Sequence, residues 1–378
     1  MKYYLIAGEA SGDLHGSNLM KGLLKSDPAA EFRFWGGDKM AVVGGEGNLA
    51  KHYKKASFFG VTEVIKNLGT VLSQLSECKE DVANFSPDVL ILIDYPGFNF
   101  KMAKFAHERG LKVFYYISPK VWAWKESRVK RIKKYVDRLF IIFPFEIEYF
   151  RNKGVEAIYE GNPLVDSIEE KLAYIPSKEQ FFMENGLDGR PLVALLAGSR
   201  ASEIKNSLPF MVELSSLFPD YQFVVAGVSW LDRSQYDMYL EGTPVRHVCD
   251  KTYELLKYSE AAVVTSGTAT LETALIGTPE IVCYKSDAFS VLFGRIVIKV
   301  RFISLVNLIM DREVVRELIQ SDMSMEKASA ELEGILGGGG KREKMLADFE
   351  ELRRIVGGPG ASDRFAAKMV EELNKLNS

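Results

Sequence analysis

Short apolar runs alternate along this chain with longer stretches whose apolar residues recur at helical spacing. In the first half, the runs Tyr3–Ala7, Glu31–Trp35, Val89–Ile93, Lys112–Tyr116 and Arg138–Ile142 predict strands. Their near-continuous apolar character suits strands covered by helices on both faces. Helical patterns lie between them, at Leu14–Lys25, Val71–Asn84 and Asn99–Arg109. A second series begins near Pro191, with strands predicted at Leu192–Leu196, Gln222–Ala226, Ala261–Thr265 and Glu280–Tyr284. The turn-rich Gly161-Asn162-Pro163 separates the two series. This alternation predicts an α/β protein of two doubly wound parallel-sheet domains with a cleft between them.

The tail reads differently. A four-glycine turn at Gly337–Gly340 precedes a charged helix from about Lys341 to Ile355. Gly357-Gly358-Pro359-Gly360 then breaks the chain before a last helix, with Ser362 as its expected N-cap and Asp363 in its first turn.

A chain of 378 residues suits two domains, each able to bury its own core. Lys and Arg number 48 against 51 Asp and Glu, a net charge of −3, so nothing in the balance points to nucleic acid. Cys78, Cys249 and Cys283 form neither a disulfide framework nor a metal knuckle, which favours a reducing compartment. No two of the four histidines share a metal-ligand spacing, and no metal is expected. The N-terminal residues lack the pattern of a signal peptide. Arg295, Lys299 and Arg301 interrupt the longest apolar region, Ala288–Met310, and argue against a spanning helix.

In open α/β sheets ligands bind beyond the carboxyl ends of the strands, so the turns after each strand are the places to look for chemistry. Gly8-Glu9-Ala10-Ser11-Gly12-Asp13-Leu14-His15 follows the first strand without the dinucleotide-binding glycine spacing. Its glycines suit a tight turn; Glu9, Asp13 and His15 are either turn and cap residues or catalytic ones. Asp94 ends the most apolar strand. It either caps the next helix, a task Asn99 is also placed to do, or accepts a proton from a substrate hydroxyl.

In the second half, Gly198-Ser199-Arg200-Ala201-Ser202-Glu203 runs from a strand into a helix and offers a planar guanidinium, a hydroxyl and helix-start amides to phosphate. Ser266-Gly267-Thr268-Ala269-Thr270-Leu271-Glu272 repeats that design, with Glu272 placed to hold ribose hydroxyls. Two phosphate-competent turns in one domain point to a nucleoside diphosphate. Apolar residues from Phe58 to Leu75, with lysines nearby, form either a core-facing helix or a surface for a membrane. The Ala288–Met310 region suits an interfacial or partly buried segment.

Taken in order, GEASGD (Gly8–Asp13), D-x-P-x-F-N (Asp94–Asn99), S-P-x-x-W-A-W (Ser118–Trp124), GNPLVD (Gly161–Asp166), GSR with Glu203, SGTATLE (Ser266–Glu272) and SL-x-N-L (Ser304–Leu308) resemble the lipid-A-disaccharide synthase family over essentially the whole chain. The resemblance implies a GT-B glycosyltransferase fold of two Rossmann-like domains flanking a catalytic cleft. It implies transfer from UDP-2,3-diacylglucosamine to 2,3-diacylglucosamine 1-phosphate, with inversion, to give the β-1,6-linked disaccharide and UDP. Asp94 matches the family's general base, with Asp13, Glu9 or His15 as other candidates. Ser199, Arg200, Glu203, Ser266, Gly267, Thr268, Thr270, Glu272, Asn307 and Glu313 match the nucleotide side.

Neither cofactor nor metal is implied, and the absence of any D-x-D triplet agrees. The resemblance also implies peripheral attachment to the inner face of the bacterial inner membrane, through Phe58, Phe59, Val61, Val64, Leu68 and Leu72. By this reading residues 1–165 form the acceptor domain and 166–345 the UDP-sugar domain. Residues 346–378 form helices that pack back on the first domain, either within the chain or exchanged in a homodimer. Val306 departs from the family's usual proline and leaves that loop's conformation open. The rival reading is a UDP-N-acetylglucosamine 2-epimerase of the same fold, which has no lipid acceptor and leaves Phe58–Leu75 without a role.

Overall fold

The structure, a computed structural model, describes residues 1–56, 68–122, 126–285 and 301–378. The chain divides into two compact units, Met1–Pro163 with Gly357–Ser378, and Leu164–Val356.

The first unit is built on seven parallel strands: β1 (Lys2–Ala7), β2 (Glu31–Gly36), β3 (Leu49–His52), β4 (Val89–Ile93), β5 (Lys112–Tyr116), β6 (Arg138–Ile141) and β7 (Ala157–Tyr159). They lie in the order β3-β2-β1-β4-β5-β6-β7, so the winding direction reverses between β1 and β4. Alternate residues of β1 face opposite layers. Tyr4 and Ile6 join Leu90, Leu92 and Tyr115 in one core, and Tyr3, Leu5 and Ala7 join Val89, Ile91 and Phe114 in the other. Burial on both faces explains why Val-Leu-Ile-Leu-Ile of β4 shows no polar alternation.

The second core is closed by the final helix, Ala361–Asn377, through Phe365, Ala366, Met369 and Leu373. Phe365 meets Tyr116 edge-on at 5.2 Å. A side chain at Gly22 of the first helix, Ala10–Ser26, would meet Ala366 Cβ at 2.8 Å, so glycine lets the two helices touch. Lys25–Asp363 and Arg138–Glu372 ion pairs fix the ends of this packing. The expected cap at Ser362 is corrected. Ser362 lies inside the helix, and the N-cap is Gly360, whose φ of +87° favours glycine.

The second unit carries β8 (Leu192–Leu196), β9 (Gln222–Gly227), β10 (Arg246–Cys249), β11 (Ser259–Thr265), β12 (Glu280–Tyr284) and β13 (Arg316–Ile319). Their order, β10-β9-β8-β11-β12-β13, reverses between β8 and β11. The helix Arg342–Val356 belongs here, burying Met345, Phe349 and Leu352. The expected domain break before residue 346 therefore falls inside a helix, because that helix's apolar face serves this unit. The chain crosses to the first unit only at the glycines that follow.

Strands β3, β7, β10 and β13, which periodicity does not single out, are the four edge strands of the two sheets. They are three or four residues long and largely half-buried, too short for a distinct apolar run.

Candidate functional site

The first unit's reversal point brings the turn after β1 beside the turn after β4, with Ala7 paired to Ile93. This is where ligands sit in open α/β sheets. Asp94 and Tyr95 follow β4 with φ of +42° and +46°, a left-handed pair that non-glycine residues rarely adopt. Such backbone persists only where its surroundings hold it. Here Tyr115 Oη donates to the Asp94 carbonyl at 2.6 Å, and Asn99 Nδ2 donates to the same oxygen at 2.8 Å. Asn99 thus ties strand end to helix from within, and the capping task read for it is corrected. The Tyr95 ring lies directly over Gly8, where a Cβ would come within 2.3 Å of it.

The Asp94 carboxyl is pushed up to about 6, first by burial and then by the neighbouring Glu9 carboxylate, against the pull of Lys120 and Arg128. A carboxyl raised toward neutrality in this way suits a general base near its working pH. Glu9 is the N-cap residue of the first helix and accepts a hydrogen bond from Ser11 Oγ at 2.7 Å. His15 lies farther along that helix, half-buried.

Asp13 has a different occupation. Its buried carboxylate accepts from the backbone N–H groups of Gly37 (2.7 Å), Lys39 (3.1 Å) and Met40 (3.1 Å). It therefore caps the helix Asp38–Gly44, whose own N-cap, Gly37, has no side chain to do so. The cap reading holds for Asp13, but for a neighbouring helix rather than its own.

Sequence reasoning missed Glu146. It stands just past β6, fully buried, and burial pushes its carboxyl up to about 8. Trp122 Nε1 donates to it at 3.1 Å and the Phe143 N–H at 3.2 Å, so it anchors the Ser118–Trp122 stretch from below. The signal was a lone Glu in the apolar Phe143-Pro144-Phe145-Glu146-Ile147.

The second unit's reversal point joins the turns after β8 and β11, with Val264 paired to Leu196. Gly198 takes φ of +109°, and a Cβ there would strike Glu203. Glu203 Oε2 accepts from the N–H groups of Ser199 (2.9 Å) and Arg200 (3.2 Å), while Oε1 takes the Arg200 guanidinium at 3.0 Å. This carboxylate occupies the anion position at the start of the helix Ala201–Ser215.

The turn after β11 is more open. Gly267 and Thr268 are exposed at the start of the helix Thr268–Ile276, with free space above Gly267. Ser266 Oγ donates to the Ile303 carbonyl (2.9 Å), and the buried Thr270 hydroxyl to the Gly267 carbonyl (2.9 Å). Glu272 accepts from Tyr253 Oη at 2.6 Å. Burial raises its carboxyl, against Tyr253 and Lys171.

Two nucleotide-side expectations change. Asn307 is fully buried and spends both ends of its amide internally. Its Oδ1 accepts from Val314 and Val315 N–H (2.7 and 3.0 Å), and its Nδ2 donates to the Val315 carbonyl and Glu317 (2.8 and 2.9 Å). Glu317, absent from the sequence reading, also receives the N–H groups of Ile303 and Ser304, and so organises this loop. Glu313 pairs with Arg316 at 3.1 Å and shares a hollow with Lys341, Lys344 and Asp348. Arg316 opens β13 level with Ile281 near the start of β12, so Glu313 lies at the amino edge of the sheet, opposite the phosphate-competent turns.

The loop left open by Val306 is a helix, Leu305–Met310, capped by Ser304; Val306 is wholly buried in its first turn, where proline is equally tolerated. Leu305, Ile309 and Met310 are also buried there, so the described end of the Ala288–Met310 region is core. Residues 288–300 of that region, and Phe58, Phe59, Val61, Val64 and Trp124, lie outside the described residues. In the helix Leu68–Phe85, Leu75 joins the core while Leu72 is 52% exposed. Among the described residues no helix is long and apolar enough to cross a membrane, and no cluster of His, Cys, Asp or Glu is arranged to hold a metal ion.

The fold fits what comparison with known proteins finds. The family described as lipid-A-disaccharide synthetase matches residues 3–358. The lipid-A-disaccharide synthase of Syntrophus aciditrophicus is 37% identical over 378 residues, covering 98% of this chain and 97% of the relative. That of Myxococcus xanthus is 37% identical over 375 residues, with 98% and 97% covered. Among solved structures, the UDP-GlcNAc 2-epimerase of Neisseria meningitidis, bound to UDP-GlcNAc, superposes with a TM-score of 0.65 at 13% identity over 100% of both chains. The glycotransferase of kitacinnamycin superposes with a TM-score of 0.63 at 12% identity over 98% of both. These likenesses show a shared fold, two Rossmann-like units of the GT-B kind. The chain belongs to the lipid-A-disaccharide synthase family, glycosyltransferases of lipid A biosynthesis.

Proposed function

We propose that this enzyme transfers 2,3-diacylglucosamine from UDP-2,3-diacylglucosamine to the 6-hydroxyl of 2,3-diacylglucosamine 1-phosphate, with inversion and release of UDP. The observation that carries the reading is Asp94, a carboxylate raised to about 6 on a pinned left-handed backbone at a sheet reversal point. Asp94 removes the proton of the acceptor hydroxyl as that oxygen attacks the anomeric carbon. The bond from that carbon to the UDP phosphate breaks in the same displacement, which inverts the configuration. Glu9 keeps the base's affinity for its proton high; Asp13 holds the floor of the site by capping the helix Asp38–Gly44.

In the second unit the open turn at Gly267–Thr268 and the Arg200 guanidinium receive the pyrophosphate, and Glu272 the ribose. Arg200 and the helix-start amides neutralise the departing charge without a metal. Glu203 already fills the amides of the Ser199–Arg200 turn, so there the guanidinium, and not the helix start, is the donor to phosphate. We further propose that the enzyme works on the inner face of the bacterial inner membrane, docked through the apolar stretch that ends at the exposed Leu72.

Mass spectrometry of the product formed from the diacyl donor and acceptor tests the reaction. A tetraacyl disaccharide 1-phosphate, with UDP released only when acceptor is present, is the expected result. Epimerised UDP-sugar formed without acceptor would establish the rival reading.

A further inference from the structure

We propose that Trp230 is the platform on which the donor's nucleobase stacks. This rests on the reading that the second unit binds a nucleoside diphosphate. Trp230 follows β9 at the carboxyl edge of the sheet and is 68% exposed, among the most open large apolar side chains of the described residues. It is nevertheless held in place. Its indole N–H donates to the Ser199 carbonyl at 3.1 Å, which ties the ring to the turn after β8. The two residues before it are fixed as well: the Ser229 N–H donates to Asp250 Oδ1 at 3.0 Å and the Val228 N–H to Tyr236 Oη at 3.3 Å. The ring's one polar atom is therefore satisfied by protein, and its wide apolar surface is left to solvent. An indole presented in that way suits a flat, partly apolar ligand group better than a hydrogen-bonding one.

Position supplies the second argument. Across the carboxyl edge, β9 lies beside β8, and β8 beside β11. Neighbouring strands are about 4.8 Å apart, so the open Gly267–Thr268 turn stands about 10 Å from the end of β9. A nucleotide whose pyrophosphate lies at Gly267–Thr268 and Arg200 finds at this same edge the large, flat, exposed ring of Trp230, tied to the Ser199 carbonyl next to Arg200. Stacking of a base on an aromatic ring tolerates any base, so Trp230 supplies affinity, and the choice of uracil falls to other groups.

The test is calorimetric titration of the full chain with UDP, uridine and inorganic pyrophosphate, for wild type, Trp230→Phe and Trp230→Ala. Thermal melts check that the variants remain folded. Trp230→Ala is expected to bind UDP and uridine about 10- to 100-fold more weakly, Trp230→Phe to stay within a few-fold of wild type, and pyrophosphate affinity to be unchanged throughout. Wild-type affinity for UDP in Trp230→Ala overturns the platform alone, as does an equal loss of UDP and pyrophosphate, which marks a merely structural residue. Failure of the wild-type protein to bind UDP or pyrophosphate overturns the donor-site reading, and the platform with it.

Discussion

The two reversal points share a topology and differ in how they treat their carboxylates. In the first unit, Asp94 sits on strained backbone whose carbonyl is clamped by Tyr115 and Asn99, and burial raises its side chain rather than pairing it with a cation. In the second unit, Glu203 and Glu317 are consumed by nearby amides and guanidinium, and each fixes a loop. A carboxylate satisfied by fixed donors builds a site. One left with a raised proton affinity in a rigid frame is fit for proton transfer. Asp13, with three amide donors, belongs with Glu203 and Glu317 although it lies in the first unit.

The sharpest way to break this comparison is Asp94→Asn. Turnover should fall about 10²- to 10⁴-fold, the usual worth of a general base, while UDP affinity stays within about twofold. Steady-state kinetics and calorimetry together decide it, and near-normal turnover would move the base to Glu9 or His15. The wild-type profile carries the same information. Because the active form is ionised and the carboxyl lies at about 6, kcat/KM should drop as pH falls through that value, a limb that Asp94→Asn abolishes.

Next in size is Asn307→Ala. It strands the buried Val314 and Val315 amides, so a loss of about 2–4 kcal/mol in denaturant stability is expected. A loss of UDP affinity with stability intact would return Asn307 to the ligand. Arg200→Ala, at an exposed side chain, should weaken UDP binding about tenfold and leave the melting temperature nearly unchanged. Unchanged affinity for UDP would remove the guanidinium from the phosphate site.

The smallest effect expected is on stability alone. Glu280 is fully buried at the start of β12, with no hydrogen-bond partner for its carboxylate among the described residues, and burial pushes its carboxyl well up. A raised carboxyl contributes stability only below the unfolded value near 4.3, and loses it as pH rises toward the folded one. Glu280→Met should therefore gain about 1–3 kcal/mol at pH 8 and progressively less toward pH 4.5, read as melting temperature against pH. A gain independent of pH would mean that packing, not ionisation, is responsible.

Much of this was legible in sequence because it rests on local signals. Val89–Ile93, Lys112–Tyr116, Leu192–Leu196 and Glu280–Tyr284 were found to the residue, since strands buried on both faces are apolar along nearly their whole length. The turns that follow strands were equally visible, because glycine and small polar residues mark where backbone leaves a sheet. Trp230 and Glu317 were not legible, because each is tied to a partner on a different element, and Glu146 left only the faint mark of one acid in an apolar stretch, its partner Trp122 lying 24 residues away.

The sequence by itself determined the alternation of strand and helix, the two series, the family, and the turns in which chemistry sits. Hydrophobic period and ordered motifs are properties of neighbours along the chain. Only the tertiary structure decided that Asp13 caps a foreign helix, that Asn307 is spent internally, and that Glu313 lies at the wrong edge. It alone separated the last helix, which belongs to the first unit, from the one before it, which belongs to the second. Those outcomes depend on which donors and apolar faces meet in space, and spacing along a chain does not encode them.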